Sequence, residues 1–438
     1  MEQLSGFPYF PVQFTKEAAV HNQADVAALQ DFLKREGTTD LIVISHGWNN
    51  NMEEAKALYA SLFANVRSLL DAGTFATLAN RKWAVLGVLW PSKKFEEKEL
   101  IPSGAAGAGS VVGMAALKAK LEGLKGVFDA PQSDRTLDEL QRLLPKLEDS
   151  TSAQKEFVDK VRSLVQTHTL EAEDGSEVFF KVPSGELLEK LRKPVSFTVA
   201  RPPANAGGAA GIGTGGAAGL GEFFSGIWSG VRNALNYTTY YQMKERAGLV
   251  GANGVNPILR AIQAARPDVR LHLIGHSFGG RLVAAAVAGV DDATLLRVQT
   301  LSLLQAAFSH YGFAEKWDGT HNGFFHRVIS ARAVAGPTII TCTANDKAVG
   351  LAYPIASLLA GQVAAGIGDK NDKYGGIGRN GAQKTPGTVD LTLLESTGSY
   401  QLTNGMMHNL STDRLIKDHG DVANKEVAFA VVSAISAA

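Results

Sequence analysis

The sequence predicts an α/β fold built on a mostly parallel sheet with helices on both faces, and three observations predict it. Short apolar runs recur, at Leu41 (LIVIS), Trp83 (WAVLGVLW), Leu271 (LHLI), Val298 (VQTLSLLQ) and Thr338 (TIITC). Helical text separates several of them, and strands alternating with helices pair in parallel. Short, mainly apolar runs of this kind look like buried strands of a parallel sheet covered on both faces.

Taken in order, the amino terminus (MEQLSGFPYFPVQF) lacks a basic segment followed by an apolar one, so no secretory signal is read there. A cytoplasmic location is expected, with export by another route left open. LIVISHG ends at Gly47. Asn51–Ala72 follows as an amphipathic helix with Leu58, Leu62, Val66 and Leu69 on one face, and WAVLGVLWPS then stops at Pro91. Residues 93–241 interrupt the pattern with a charge cluster (KKFEEKEL), Gly/Ala-rich text and amphipathic helical segments (LDELQRLLPKL, SAQKEFVDKVRSLVQTH). SEVFFKVPSG reads as a strand or hairpin arm. This stretch is expected to be a mainly helical cap or lid inserted into a core of residues 1–92 and 242–438. Beyond it, Asn256 is expected to cap and Pro257 to open a helix ending before Pro267. The strand LHLIGHS, a helix from Phe278 to about Ala288, strands from Val298 and Thr338, and an amphipathic carboxyl-terminal helix follow. Gly361–Gln383, rich in glycine, is expected to be a surface loop.

Composition narrows the function. The 438 residues are 45% hydrophobic and 20% charged, which is globular. Lys plus Arg number 43 and Asp plus Glu 43, a balance that argues against nucleic-acid binding through a broad basic face. The single cysteine, Cys342, excludes an intramolecular disulfide framework and any CxxC site. No HExxH or acidic calcium loop is present, so neither a metal nor a cofactor is implied. Gly211–Gly216 satisfies GxGxxG, but no strand precedes it, which counts against a dinucleotide site. Ile101–Leu117 and Pro202–Gly221 approach membrane-span length but are dominated by Gly and Ala rather than by the Leu, Ile, Val and Phe of a spanning helix.

The chemistry centres on GHSFGG, Gly275–Gly280. A strand runs into it and a helix out of it, which is the setting of a nucleophile elbow with Ser277 at the turn and Gly275 and Gly279 removing colliding side chains. The helix behind the serine aims its positive end at a developing oxyanion. A second oxyanion donor is expected after an earlier strand, where His46-Gly47-Trp48 follows LIVIS; the Trp48 and Phe278 amides would form the hole. His46, His272 and His276 read as structural. His21, His168, His310, His321 and His326 precede the last strands or lie in the cap, which leaves His408 and His419 as the base. His419, in a loop before the last helix, is the better placed of the two. Asp346 ends the strand TIITC as the acid should, with Asp390, Asp413 and Asp418 as competitors.

SHGWNN, VLWPS, GHSFGG, TANDKAVG and DHGDV, in this order, resemble the α/β-hydrolase superfamily, and within it bacterial lipase-like and esterase-like serine hydrolases. The resemblance covers residues 35–95 and 245–438. It implies Ser277 as nucleophile, Asp346 as acid, His419 as base and Trp48 and Phe278 as oxyanion donors. The insertion departs from the common pattern, since many relatives place a lid after the strand beyond the nucleophile helix. The expected activity is hydrolysis of a small-molecule or lipid carboxylic ester through an acyl-enzyme, with transient membrane-surface contact through the cap in the lipid case. The alternatives are a non-catalytic binding protein on this fold and a membrane-directed phospholipase toxin.

Overall fold

In the computed structural model, nine strands form one sheet: β1 (Glu2–Leu4), β2 (Phe7–Gln13), β3 (Asp40–Ser45), β4 (Trp83–Leu89), β5 (Arg270–His276), β6 (Thr300–Leu304), β7 (Thr338–Cys342), β8 (Thr388–Thr392) and β9 (Met407–Ser411). Their spatial order is β1-β2-β4-β3-β5-β6-β7-β9-β8, and every pairing except β1 with β2 is parallel. The structure describes residues 2–48, 50–92, 110–166 (110–113 as backbone only), 171–192, 227–346, 370 and 372–438.

The period of two along each central strand divides the core into two layers. Ile42, Ile44, Val85, Ile274, Leu304 and Ile339 share one layer with Tyr59, Leu62, Phe63 and Val66 of the helix Met52–Asp71 and with Val427–Ile435 of the helix Lys425–Ala437. The alternate residues Leu41, Val43, Leu271, Leu273, Leu301 and Leu303 are equally buried, on the side where the helix Phe278–Ala288 packs across β3, β5 and β6. Each large side chain so buried contributes about 1.5–3 kcal/mol. The helix Met52–Asp71 begins on a capping box, in which Asn51 and Glu54 satisfy each other's backbone amides.

Several expectations are corrected. Asn256 does not cap a helix. The helix Ile227–Leu249 continues through a π-helical turn, Val250–Val255, directly into Asn256–Ala265. The Asn256 amide instead donates to the carbonyls of Ala286 and Thr294. Ser176–Lys181, within the expected hairpin arm, is helical, with Phe179 buried. The described end of the Gly361–Gln383 segment is not a surface loop: Tyr374, Ile377, Asn380 and Ala382 are buried and Ile377–Asn380 is a short helix. Gly378 makes this packing feasible, because a Cβ there would collide with the backbone of Gln305. The strand from Val298 begins at Thr300, Val298 forming only an isolated bridge to Val334.

The chain divides into two compact units, Met1–Lys93 with Met243–Tyr353 and Gly368–Ala438, and Lys94–Gln242 with Pro354–Ile367. The first contains the sheet. The described part of the second is helical, including Ser110–Gly123, Ser133–Leu143, Thr151–Ser163 and Ser184–Leu191, and buries Leu137, Leu140, Phe157, Val161 and Leu187. Pro202–Gly221 and the GxGxxG text at Gly211–Gly216 lie outside the described residues, as does most of Ile101–Leu117. Among the described residues no helix is long and apolar enough to cross a membrane.

Candidate active site

The register aligns Ser45 with Gly275, His276 with Leu304, and Leu304 with Thr341, so β3, β5, β6 and β7 end side by side. Every residue of the candidate site lies just beyond one of these carboxyl ends or in the loop after β9. That edge is where ligands of open parallel sheets bind.

Ser277 stands between β5 and the helix Phe278–Ala288 with φ 57° and ψ −125°, a backbone conformation unfavourable for any residue with a side chain. Main-chain bonds impose it: Ser277 N–H donates to Leu304 O, and Ser277 O accepts from Gly280 N–H and Ala307 N–H. Close packing requires the flanking glycines. A Cβ on Gly275 would collide with the Gly279 carbonyl, and one on Gly279 with the carbonyls of Ser45 and His46. A Cβ on Gly47 would lie 2.6 Å from Ser277 Cβ and 3.1 Å from its Oγ, so the turn after β3 touches the serine directly.

That turn is held from below. His46 is wholly buried, and burial lowers its pKa to about 4. The Trp90 N–H donates to His46 Nε2 (3.2 Å), which assigns the ring proton to Nδ1, and Nδ1 donates to Gly47 O (2.9 Å). Asn50 Nδ2 reaches the same carbonyl. With Gly47 O fixed on one side of a planar trans peptide, the Trp48 N–H is directed to the other. Trp48 is 37% exposed, its indole 6.1 Å from the ring of the buried Phe278. The His46 amide donates to the Tyr59 hydroxyl, which donates in turn to Val88 O.

Asp346 and His419 meet: Asp346 Oδ2 lies 2.8 Å from His419 Nδ1, with the carboxylate fully buried and the imidazole 22% exposed. The loop carrying Asp346 is tied to the segment carrying His419. Asp413 Oδ1 accepts from Thr343 Oγ1 and Ala344 N–H, and Asn345 Nδ2 donates to the carbonyls of Asp413 and Ile416. His419 docks beside the residue preceding Ser277: His276 Nε2 donates to His419 O (2.9 Å), and the two rings lie 4.9 Å apart. Burial first, and then the His419 ring, lower the His276 pKa to about 3, so it is a neutral donor. No hydrogen bond joins the Ser277 hydroxyl to the His419 ring.

The rival candidates have other partners. His408 lies fully buried within β9, its Nδ1 near Thr338 O and its Nε2 accepting from Thr403 N–H, so it cannot reach Ser277 as a base. Asp390 receives the Asn409 amide at the outer strand, and Asp418 receives the Gly420 N–H. His272 is bonded to Asp40 and Thr300. Among the described residues no group of His, Cys, Asp and Glu has the arrangement of a metal site, and Cys342 is buried with its thiol pushed up to about 12 by desolvation.

The sequence assigns no role to Tyr59 or Asn50 and offers Asp413 only as a rival acid, whereas here Asp413 ties the loop of Asp346 to the segment of His419. Only Asp413, two residues after Ser411 in the text STD, carries a local signal, that of an aspartate poised to accept turn amides. Comparison of the chain with protein-family models, with curated proteins and with solved structures returned no match.

Proposed function

We propose that the protein is a serine hydrolase of the α/β-hydrolase type that cleaves carboxylic esters through an acyl-enzyme. The observation that carries this reading is the strained Ser277 at a strand-to-helix turn, beside a buried Asp346 bonded to a partly exposed His419. The φ 57°, ψ −125° of Ser277 lies outside the left-handed helical region that turn residues reach, and strain of this kind at a serine points to a functional constraint.

In this reading Ser277 Oγ attacks the ester carbonyl carbon while His419 Nε2 removes the hydroxyl proton. Asp346 keeps the other ring proton on Nδ1 and stabilises the imidazolium. The tetrahedral oxyanion is met by the amides of Phe278 and Trp48, assisted by the amino end of the helix Phe278–Ala288. His419 returns its proton to the leaving alcohol, and water then attacks the acyl-serine by the same route in reverse. Trp48, half-exposed beside this turn, offers an apolar face for the substrate.

One observation favours a binding protein instead: the Ser277 hydroxyl is not bonded to His419. Such bonds are often long without substrate and tighten in the complex. The two readings part on activity. Wild-type protein is expected to hydrolyse members of a panel of short-chain esters, triacylglycerols and phospholipids, and Ser277→Ala to lose this with its circular dichroism unchanged. Retention of more than about a tenth of the wild-type rate would refute the nucleophile, because losing one costs several orders of magnitude.

A further inference from the structure

Two side chains outside the expected triad converge on the loop that carries the base. Gln305, immediately after β6, donates from Nε2 to the carbonyl of Asp418 (2.8 Å). His276, the last residue of β5, donates from Nε2 to the carbonyl of His419 (2.9 Å). These are consecutive carbonyls of one short segment, gripped from two adjacent strand ends, one of them next to Ser277.

Both grips are held at a local cost. Gln305 has φ 43°, the left-handed region that a residue with a side chain rarely occupies, and it is wholly buried. Its Oε1 is buried with no hydrogen-bond partner among the described residues, and the same is true of His276 Nδ1. An unpartnered buried acceptor is destabilising. Hydrophobic residues of similar shape would remove both orphans and a glycine would relieve the backbone, yet none of these substitutes could donate to the 418 and 419 carbonyls. Where local rules are broken together, the common product is the reason to look for.

We propose that His276 and Gln305 form a two-point clamp that positions the His419 backbone against the nucleophile elbow. They are positioning residues, and the inference rests on the hydrolase reading above. His419 is fixed laterally by Asp346 through its side chain and by the clamp through its main chain. Neither bond alone sets both the ring's orientation and its distance from Ser277. The absence of a Ser277–His419 bond fits a clamp that sets the approach of the ring and leaves the final bond to form with substrate.

The test uses full-length wild type, Gln305→Met, His276→Phe and His276→Gln, the last retaining an N–H near the position of the imidazole Nε2. Three quantities are measured: the rate of inactivation by a fluorophosphonate probe, the thermal midpoint, and the His419 Nδ1–H resonance in protein labelled with ¹⁵N-histidine. Gln305→Met and His276→Phe are expected to react at least about tenfold more slowly, in line with the penalty for a small misplacement of a reacting group. Their midpoints should change little, because each substitution loses one bond to a part-buried carbonyl and also removes a buried orphan. His276→Gln should recover most of the rate. Wild-type rates in both variants, or losses that parallel a falling midpoint, would overturn the clamp. A wild-type protein inert to the probe would refute the hydrolase reading instead, and the clamp would then be judged by the ring proton. Its broadening or displacement in Gln305→Met supports the clamp, and an unchanged resonance overturns it. A variant that does not fold cannot bear out the expected stability, and this also counts against the clamp.

Discussion

Ser277, Asp346 and His419 occupy three loops that are distant in sequence and adjacent in space, and each is held by main-chain or carboxylate contacts rather than by the others alone. Asp346→Asn should therefore keep the fold but favour the wrong imidazole tautomer, lowering kcat by roughly three to four orders of magnitude with little change in KM. Steady-state kinetics on an ester that the wild type cleaves checks this, and a loss under about tenfold would remove Asp346 from the acid role. His46 lies beneath the turn proposed to supply the Trp48 oxyanion donor. His46→Ala leaves the Trp90 amide without its buried partner, at a cost of about 1–3 kcal/mol, and leaves the Gly47 carbonyl held by Asn50 Nδ2 alone. Urea denaturation should show that loss, and kinetics should show a fall in kcat. Ser277 and Asp346 are legible in the sequence because each follows an apolar strand, and His419 because it sits in the loop before the last helix, late in the chain order. Gln305 and Tyr59 are not, since a buried glutamine or tyrosine acquires its partners only when distant segments meet.

At the scale of elements, the site depends on how closely the elbow and the turn after β3 approach each other. Gly279→Ala would push a Cβ against the carbonyls of Ser45 and His46 and displace the helix Phe278–Ala288 from β3. Overpacking of this kind costs about 1–3 kcal/mol, and here it should also lower kcat by shifting the Phe278 amide. A Gly279→Ala protein with wild-type stability by denaturant titration and wild-type kcat would contradict that packing. The five central strands are readable because they are short, mainly apolar runs bounded by turn residues or helical text. β2 is obscured by Pro8 and Pro11, which usually mark an edge or a loop. β9 (MHNLS) is concealed by polar residues that are buried through specific bonds, Asn409 to Ala382 and Asp390 and His408 to Thr403. The helix at Ser176–Lys181 was open to a strand reading because SEVFFK carries β-branched and aromatic residues, and packing rather than propensity decides so short an element.

For the whole molecule, acid sensitivity follows from buried neutral histidines. His46 and His276 have pKa values lowered by burial from 6.5 to about 4 and about 3, and His272 is lowered as well. Below about 6.5 the unfolded chain takes up these protons and the folded one does not, so stability falls as pH falls, down to the folded values. Asp40, whose pKa is lowered by its bonds to His272 and Thr39 despite its burial, adds loss of the same sign at more acidic pH. The thermal midpoint should drop steadily from about pH 7 to about pH 4 under constant ionic strength, and a flat profile there would contradict the assignment of these rings as neutral. The central claim is that one serine among many is made nucleophilic by its surroundings, and the direct measurement is mass spectrometry of the intact and digested protein after reaction with a fluorophosphonate. The account predicts a single adduct, on the peptide containing Ser277, that is absent in Ser277→Ala and strongly reduced in Asp346→Asn; no adduct, or one on another serine, would contradict it.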